Sequence, residues 1–139
     1  MRRFLPAILV CAACSVGTRI KTFAPVRGPD GVPTTVSRGR AAFNAELLAA
    51  SDTALLLVRE TAARVVLLRY DAATRVVFTG LPADYTLLRG RAPSAATLEQ
   101  LRLWSRFPTG GDSTLLRRLL SAYRQDSLEV LTPCASRRC

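Results

Sequence analysis

Histidine is missing from all 139 residues, and lysine occurs once, at Lys21. The first absence removes the Ser-His and Cys-His nucleophile pairs, together with the usual general base at neutral pH. The second leaves any Ser-Lys dyad dependent on one lysine in a Pro- and Gly-rich stretch. Zinc is poorly served, because there is no imidazole and sulfur is confined to four cysteines and one methionine. The ten carboxylates include no DxD or ExxE pair, and Asp126 and Glu129, three apart, read as solvated surface. Gly110-Gly111 lacks the lysine-ending frame of a phosphate-binding loop and reads as a helix-capping turn. The expectation is a protein that is not an enzyme and uses neither cofactor nor metal. Aromatics amount to only 6%, which leaves few platforms for stacking bases.

The apolar run from Phe4 to Ala13 covers ten residues, about 15 Å as a helix at ~1.5 Å per residue, against a hydrocarbon core of ~30 Å. It is too short to span. Arg2 and Arg3 precede it and small residues close it, the arrangement of a secretory signal. The closing residues Cys11-Ala12-Ala13-Cys14 resemble the lipobox of bacterial lipoproteins, with Ala12 and Ala13 in the small positions. That resemblance implies that Cys14 is acylated and becomes the mature N-terminus, anchoring the protein to a membrane of the cell envelope. The family prefers leucine where Cys11 stands. The departure leaves open ordinary cleavage after Ala12 or Ala13, giving a periplasmic or secreted product without lipid.

With Cys11 in the leader and Cys14 capped, Cys134 and Cys139 remain. In an oxidising space they can close a small disulfide loop; otherwise they are two free thiols on a tail. Charge is unevenly placed. Residues 15–40 carry five basic and one acidic side chain, residues 41–84 four and five, and residues 85–139 nine and four. The middle segment is thus nearly neutral. Nineteen of the twenty basic residues are arginine, as GC-rich coding would produce, so the pI near 10.9 is a weak functional signal. With export, a neutral middle and few aromatics, no nucleic-acid partner is expected.

Pro25, Gly28, Pro29, Gly31 and Pro33 break regular structure, so residues 14–40 read as a flexible tether, with an irregular strand at Thr34 to Ser37 as the alternative. Glu46–Ser51, Thr53–Val58, Arg64–Arg69 and Thr74–Thr79 are short strand-like runs separated by turn residues. A single helix from Ala41 to Val58 competes, but Asp52-Thr53 interrupts it. The strand spacing resembles small SH3-like or Sm-like barrels. Ser94 can cap a helix from Ala95 to about Arg106, with Leu98, Leu101 and Trp104 on one face. After Pro108–Gly111, Asp112 or Ser113 starts a second helix with the stripe Leu115, Leu116, Leu119, Leu120 and Tyr123.

The expected fold class is α+β: an antiparallel meander or SH3-like barrel followed by a C-terminal helical hairpin. The expected divisions are a signal at 1–13, a tether at 14–40, a domain at 41–126 and a tail at 127–139. The leucine stripe reads first as core. Arg117, Arg118 and Arg124, off the stripe, offer a face for an envelope protein partner or an anionic membrane surface. The functional expectation is an exported, lipid-anchored envelope protein with a structural or interaction role. A secreted ligand-binding module without lipid is the alternative, and a nucleic-acid-binding small barrel a minor one.

Overall fold

The computed structural model describes residues 30–79, 85–88 and 91–133. The valine- and leucine-rich runs form strands. A meander of β1 (Pro33–Arg38), β2 (Ala41–Ala50), β3 (Ala54–Arg59) and β4 (Arg64–Arg69) is followed by a single 3-10 turn at Tyr70–Ala72. Then β5 (Arg75–Phe78) returns to pair with β1, and β6 (Tyr85–Leu88) pairs with β5. The helices α1 (Ala95–Trp104) and α2 (Ser113–Ala122) come next, and β7 (Glu129–Leu131) runs parallel to β4. The result is a mixed seven-stranded sheet in the order β6-β5-β1-β2-β3-β4-β7. The α+β class is as expected.

Local chemistry explains the boundaries. Gly39 takes φ 59° in the two-residue turn between β1 and β2, a left-handed conformation in which glycine carries no Cβ penalty. Ser51 ends β2 by folding its Oγ back to accept the N–H groups of Thr53 and Ala54. That is why Ala41 to Val58 is not one helix. Ser94 and Asp112 cap α1 and α2, each accepting the N–H three residues on.

Successive strand residues point to opposite sides of a sheet, so each strand feeds two cores. Val36, Leu47, Leu57, Val66 and Phe78 pack in one cluster with Leu98, Leu101 and Trp104 of α1. Their neighbours Leu48, Val58 and Val65 pack in a second with Phe107 and with Leu115, Leu119 and Leu120 of α2. The two helices therefore cover opposite faces. The two helices do not pack one against the other; the leucine stripe packs instead across the sheet, because each apolar stripe finds its own face.

The sheet is strongly curled. β1 and β7 stand four strand positions apart, about 19 Å in a flat sheet at ~4.8 Å per strand. Yet Arg38 of β1 donates from Nη2 to the Thr132 carbonyl, one residue past β7, at 2.7 Å, and from Nε to the Ala72 carbonyl at 3.1 Å. No side chain crosses a flat sheet that far, so the β7 edge curls back toward β1 around the first cluster. The sheet nevertheless does not close, and β6 and β7 are its two edges. Two boundaries are also corrected. Residues 33–38, assigned to the tether with a strand at Thr34 to Ser37 as the alternative, form the interior strand β1, and residues 129–131, assigned to the tail, form β7.

Candidate functional site

The two faces are joined at an irregularity in β2. Pairing with β3 passes from Leu47↔Leu57 to Ala49↔Leu56, leaving Leu48 as the extra residue of a bulge. On the other side of β2, pairing with β1 ends at Pro33↔Glu46. Two chain segments satisfy the backbone beyond that point. Leu47 N–H donates to the Val32 carbonyl at 3.1 Å, while Arg106 and Phe107 donate to the carbonyls of Leu47 and Leu48 at 3.1 and 2.8 Å. Val32 N–H donates to the Trp104 carbonyl at 3.0 Å. Residues 105–107 thus pass the end of β1 and carry the chain from the α1 face to the α2 face.

Gly31 is wedged into this crossing. A Cβ there would lie 1.8 Å from the Leu47 carbonyl oxygen and 3.2 Å from Arg106 N, so only glycine fits. Its N–H donates to Glu46 Oε1 at 2.8 Å. Glu46 belongs to β2, alternates with Ala45 and Leu47 of the first cluster, and therefore faces the α2 side with no exposure. Arg106 Nε lies 2.6 Å from the same Oε1 as an ion pair without hydrogen-bond alignment, and Arg106 Nη2 reaches Asp30 Oδ1 at 2.8 Å. Glu46 Oε2 accepts no hydrogen bond among the described residues.

Burial dominates the electrostatics here. Desolvation raises the Glu46 carboxyl above its ordinary value, outweighing the Gly31 N–H and the Arg106 charge, both of which favour the carboxylate. The Tyr123 phenol is also raised, first by burial and then by the Glu46 charge. The constellation is a sealed ion pair that ties the start of the fold, β2 and the crossing together. It has a charge network but no open position at which a substrate could meet it.

A cleft opens next to the crossing, lined by Ser51, Asp52, Arg102, Gly110, Gly111 and Asp112 among others. Several of its polar groups are already engaged. Arg102 pairs with Glu99 at 2.8 Å, Asp112 accepts the Leu115 N–H at 2.7 Å, and Tyr70 Oη donates to the Ser51 carbonyl at 2.6 Å. Burial and then the Asp52 charge push the Tyr70 phenol up to about 12, so it is a donor and not a base at neutral pH. An apolar recess adjoins the cleft, with Ala49, Ala54, Leu56, Leu67, Leu116 and Leu128 in its wall.

The arginines singled out in the sequence, Arg117, Arg118 and Arg124, are exposed on and just after α2. The leucine stripe of that helix packs inward: Leu119 is fully buried, and Leu115, Leu120 and Tyr123 pack with it against the second cluster. Cys14, Cys134 and Cys139 lie outside the described residues. Among the described residues no three His, Cys, Asp or Glu side chains gather as a metal site, and no helix is long and apolar enough to cross a membrane.

Sequence reading missed Glu46 and Arg106. The signal was a lone carboxylate inside the apolar stretch Ala45–Ala50, but its partner sits far along the chain at the end of a helix. Gln125 was missed as well: its side-chain amide pairs with both backbone groups of Val65, occupying the β4 edge just before β7 begins and fastening the end of α2 to the sheet. Searches for likeness return nothing beyond the chain itself: no family model, no curated protein and no solved structure matches it.

Proposed function

We propose that this chain is an exported, lipid-anchored envelope protein whose small α+β domain has a structural or interaction role and performs no chemistry. One observation carries the reading: Arg2-Arg3, a ten-residue apolar run and Cys11-Ala12-Ala13-Cys14 follow one another in the order of a lipoprotein signal. Cys14 is the acylated residue in this reading, and Cys134 and Cys139 form a disulfide suited to an oxidising compartment. The domain architecture adds support, since its buried charges, Glu46 and Arg106, pair with one another. Fifteen residues, 15–29, separate Cys14 from the described fold, which limits its distance from the anchor to at most about 50 Å at ~3.3–3.6 Å per residue. The strand order β5-β1-β2-β3-β4, with a 3-10 turn linking β4 to β5, supports reading these five strands as a partial SH3-like barrel.

Intact mass spectrometry of the mature protein purified from membranes tests the anchor. The expected product begins at Cys14 and carries acyl mass, and Cys14→Ser leaves the leader uncleaved and the chain without acyl mass. A mature chain cut after Ala12 or Ala13 with no added mass overturns the lipid anchor in favour of a secreted module.

A further inference from the structure

Twelve arginines are described; Arg38 bonds two backbone carbonyls, and Arg40, Arg75 and Arg91 are exposed and far apart along the chain. Arg59, Arg64, Arg69, Arg102 and Arg106 each stand within an ion pair. Arg117 and Arg118 of α2, and Arg124 two residues past its end, form none among the described residues and are exposed. α2 itself contains no carboxylate, and Asp112 at its start is occupied as the cap of the Leu115 N–H. Thr114, Arg117, Arg118, Ser121 and Ala122 line a shallow depression on its outer side. The helix therefore turns its apolar side to the sheet and presents outward a surface of arginine and small hydroxyl or methyl side chains.

We propose that this outer face of α2 is a docking surface for an anionic phospholipid leaflet. The inference rests on the anchored reading above, which tethers the domain to such a surface by the fifteen residues 15–29, at most about 50 Å of chain. Charge complementarity names the partner: three guanidinium groups without internal counter-ions match phosphate headgroups, which arginine binds in a bidentate fork. Nucleic acid fits the face less well, because it carries no aromatic side chain on which a base could stack. The contact is superficial, since the leucines that would insert between lipids are consumed by the second cluster. Three surface arginines each contribute about fivefold in affinity, on the order of a hundredfold together, and that attraction is screened over ~8 Å at physiological salt.

The test uses the full chain carrying Cys14→Ser, which removes the acyl group but keeps the leader, so the α2 contribution is read as the difference between variants that share that leader. It is mixed with vesicles of phosphatidylcholine alone or with one-third phosphatidylglycerol and sedimented over a range of salt. Binding is expected only to the anionic vesicles, weakening steeply as salt rises. Arg117→Gln, Arg118→Gln and Arg124→Gln together reduce it on the order of a hundredfold. The control triple Arg40→Gln, Arg75→Gln and Arg91→Gln, also exposed, removes the same charge elsewhere and changes it by a few-fold at most. Equal losses in the two triples, salt-independent binding, or tighter α2-dependent binding of an oligonucleotide each overturn the proposal. The anchor is judged separately by mass: acyl mass on a chain whose vesicle binding ignores the α2 arginines keeps the anchor and removes the face. The opposite result keeps the face and removes the anchor.

Discussion

Arg106 holds its Nε 2.6 Å from Glu46 Oε1, with 1% of the arginine side chain exposed and none of the glutamate. A buried pair of this kind is costly to break from one side. Glu46→Ala leaves a guanidinium in the interior with only the half-exposed Asp30, and Arg106→Ala leaves an unpaired carboxylate. Each is expected to cost about 3–5 kcal/mol in urea unfolding, whereas the double change Glu46→Leu with Arg106→Met is expected to be near neutral or stabilising. A double variant as unstable as the two single losses combined would show that the pair is not a coupled unit.

The pH dependence has a defined sign. The folded-state Glu46 carboxyl titrates above its ordinary value near 4.5, principally because it is buried. Its contribution to stability is therefore fully present below the unfolded-state value and is lost as pH rises through the raised folded-state value. Glu46→Gln cannot titrate. The difference in unfolding free energy between the natural chain and this variant is expected to move in favour of glutamine as pH increases above about 4.5. A difference that stays flat from acid to neutral pH would remove burial as the controlling influence.

Gly31→Ala is expected to be among the most damaging single-methyl changes available. The added Cβ would overlap the Leu47 carbonyl oxygen at 1.8 Å, and a backbone atom cannot rotate away. Overpacking typically costs ~1–3 kcal/mol, and the upper end is expected because the shift also pulls the Gly31 N–H from Glu46. Thermal unfolding of the alanine variant measures it, with a melting point within a degree or two of the natural chain as the contrary outcome.

Gln125→Ala removes both amide contacts to the Val65 backbone. The expected loss is about 1–3 kcal/mol, and faster hydrogen exchange at the Val65 amide should localise it. Uniformly faster exchange across all strands would instead indicate that the side chain acts on the whole fold.

Much of the architecture was legible because it is locally encoded. The Leu-Leu-Leu-Val and Val-Val-Leu-Leu runs of β3 and β4, the interruption at Ser51-Asp52, and the caps Ser94 and Asp112 each carry their signal within a few residues. β1 was concealed by Pro33 and by the prolines and glycines before it, although Pro33 occupies only the first position of the strand, where a missing N–H is tolerated. β7 is three residues long and gains its place from pairing with β4, which no local pattern announces. The same limit hid the sides chosen by the helices: periodicity marks an apolar stripe and is silent about which surface receives it. The Glu46–Arg106 pair is a purely tertiary event, since neither residue's neighbours refer to the other.

The passage of residues 105–107 beside β2 gives the domain a mechanical character. Pulling α1 from its side would draw on the Arg106 and Phe107 bonds that also seat the second cluster, and loosening α2 would expose Phe107 and with it the bulge. Helices that share no face are thereby yoked through one short length of chain. A force applied at either is therefore expected to load both.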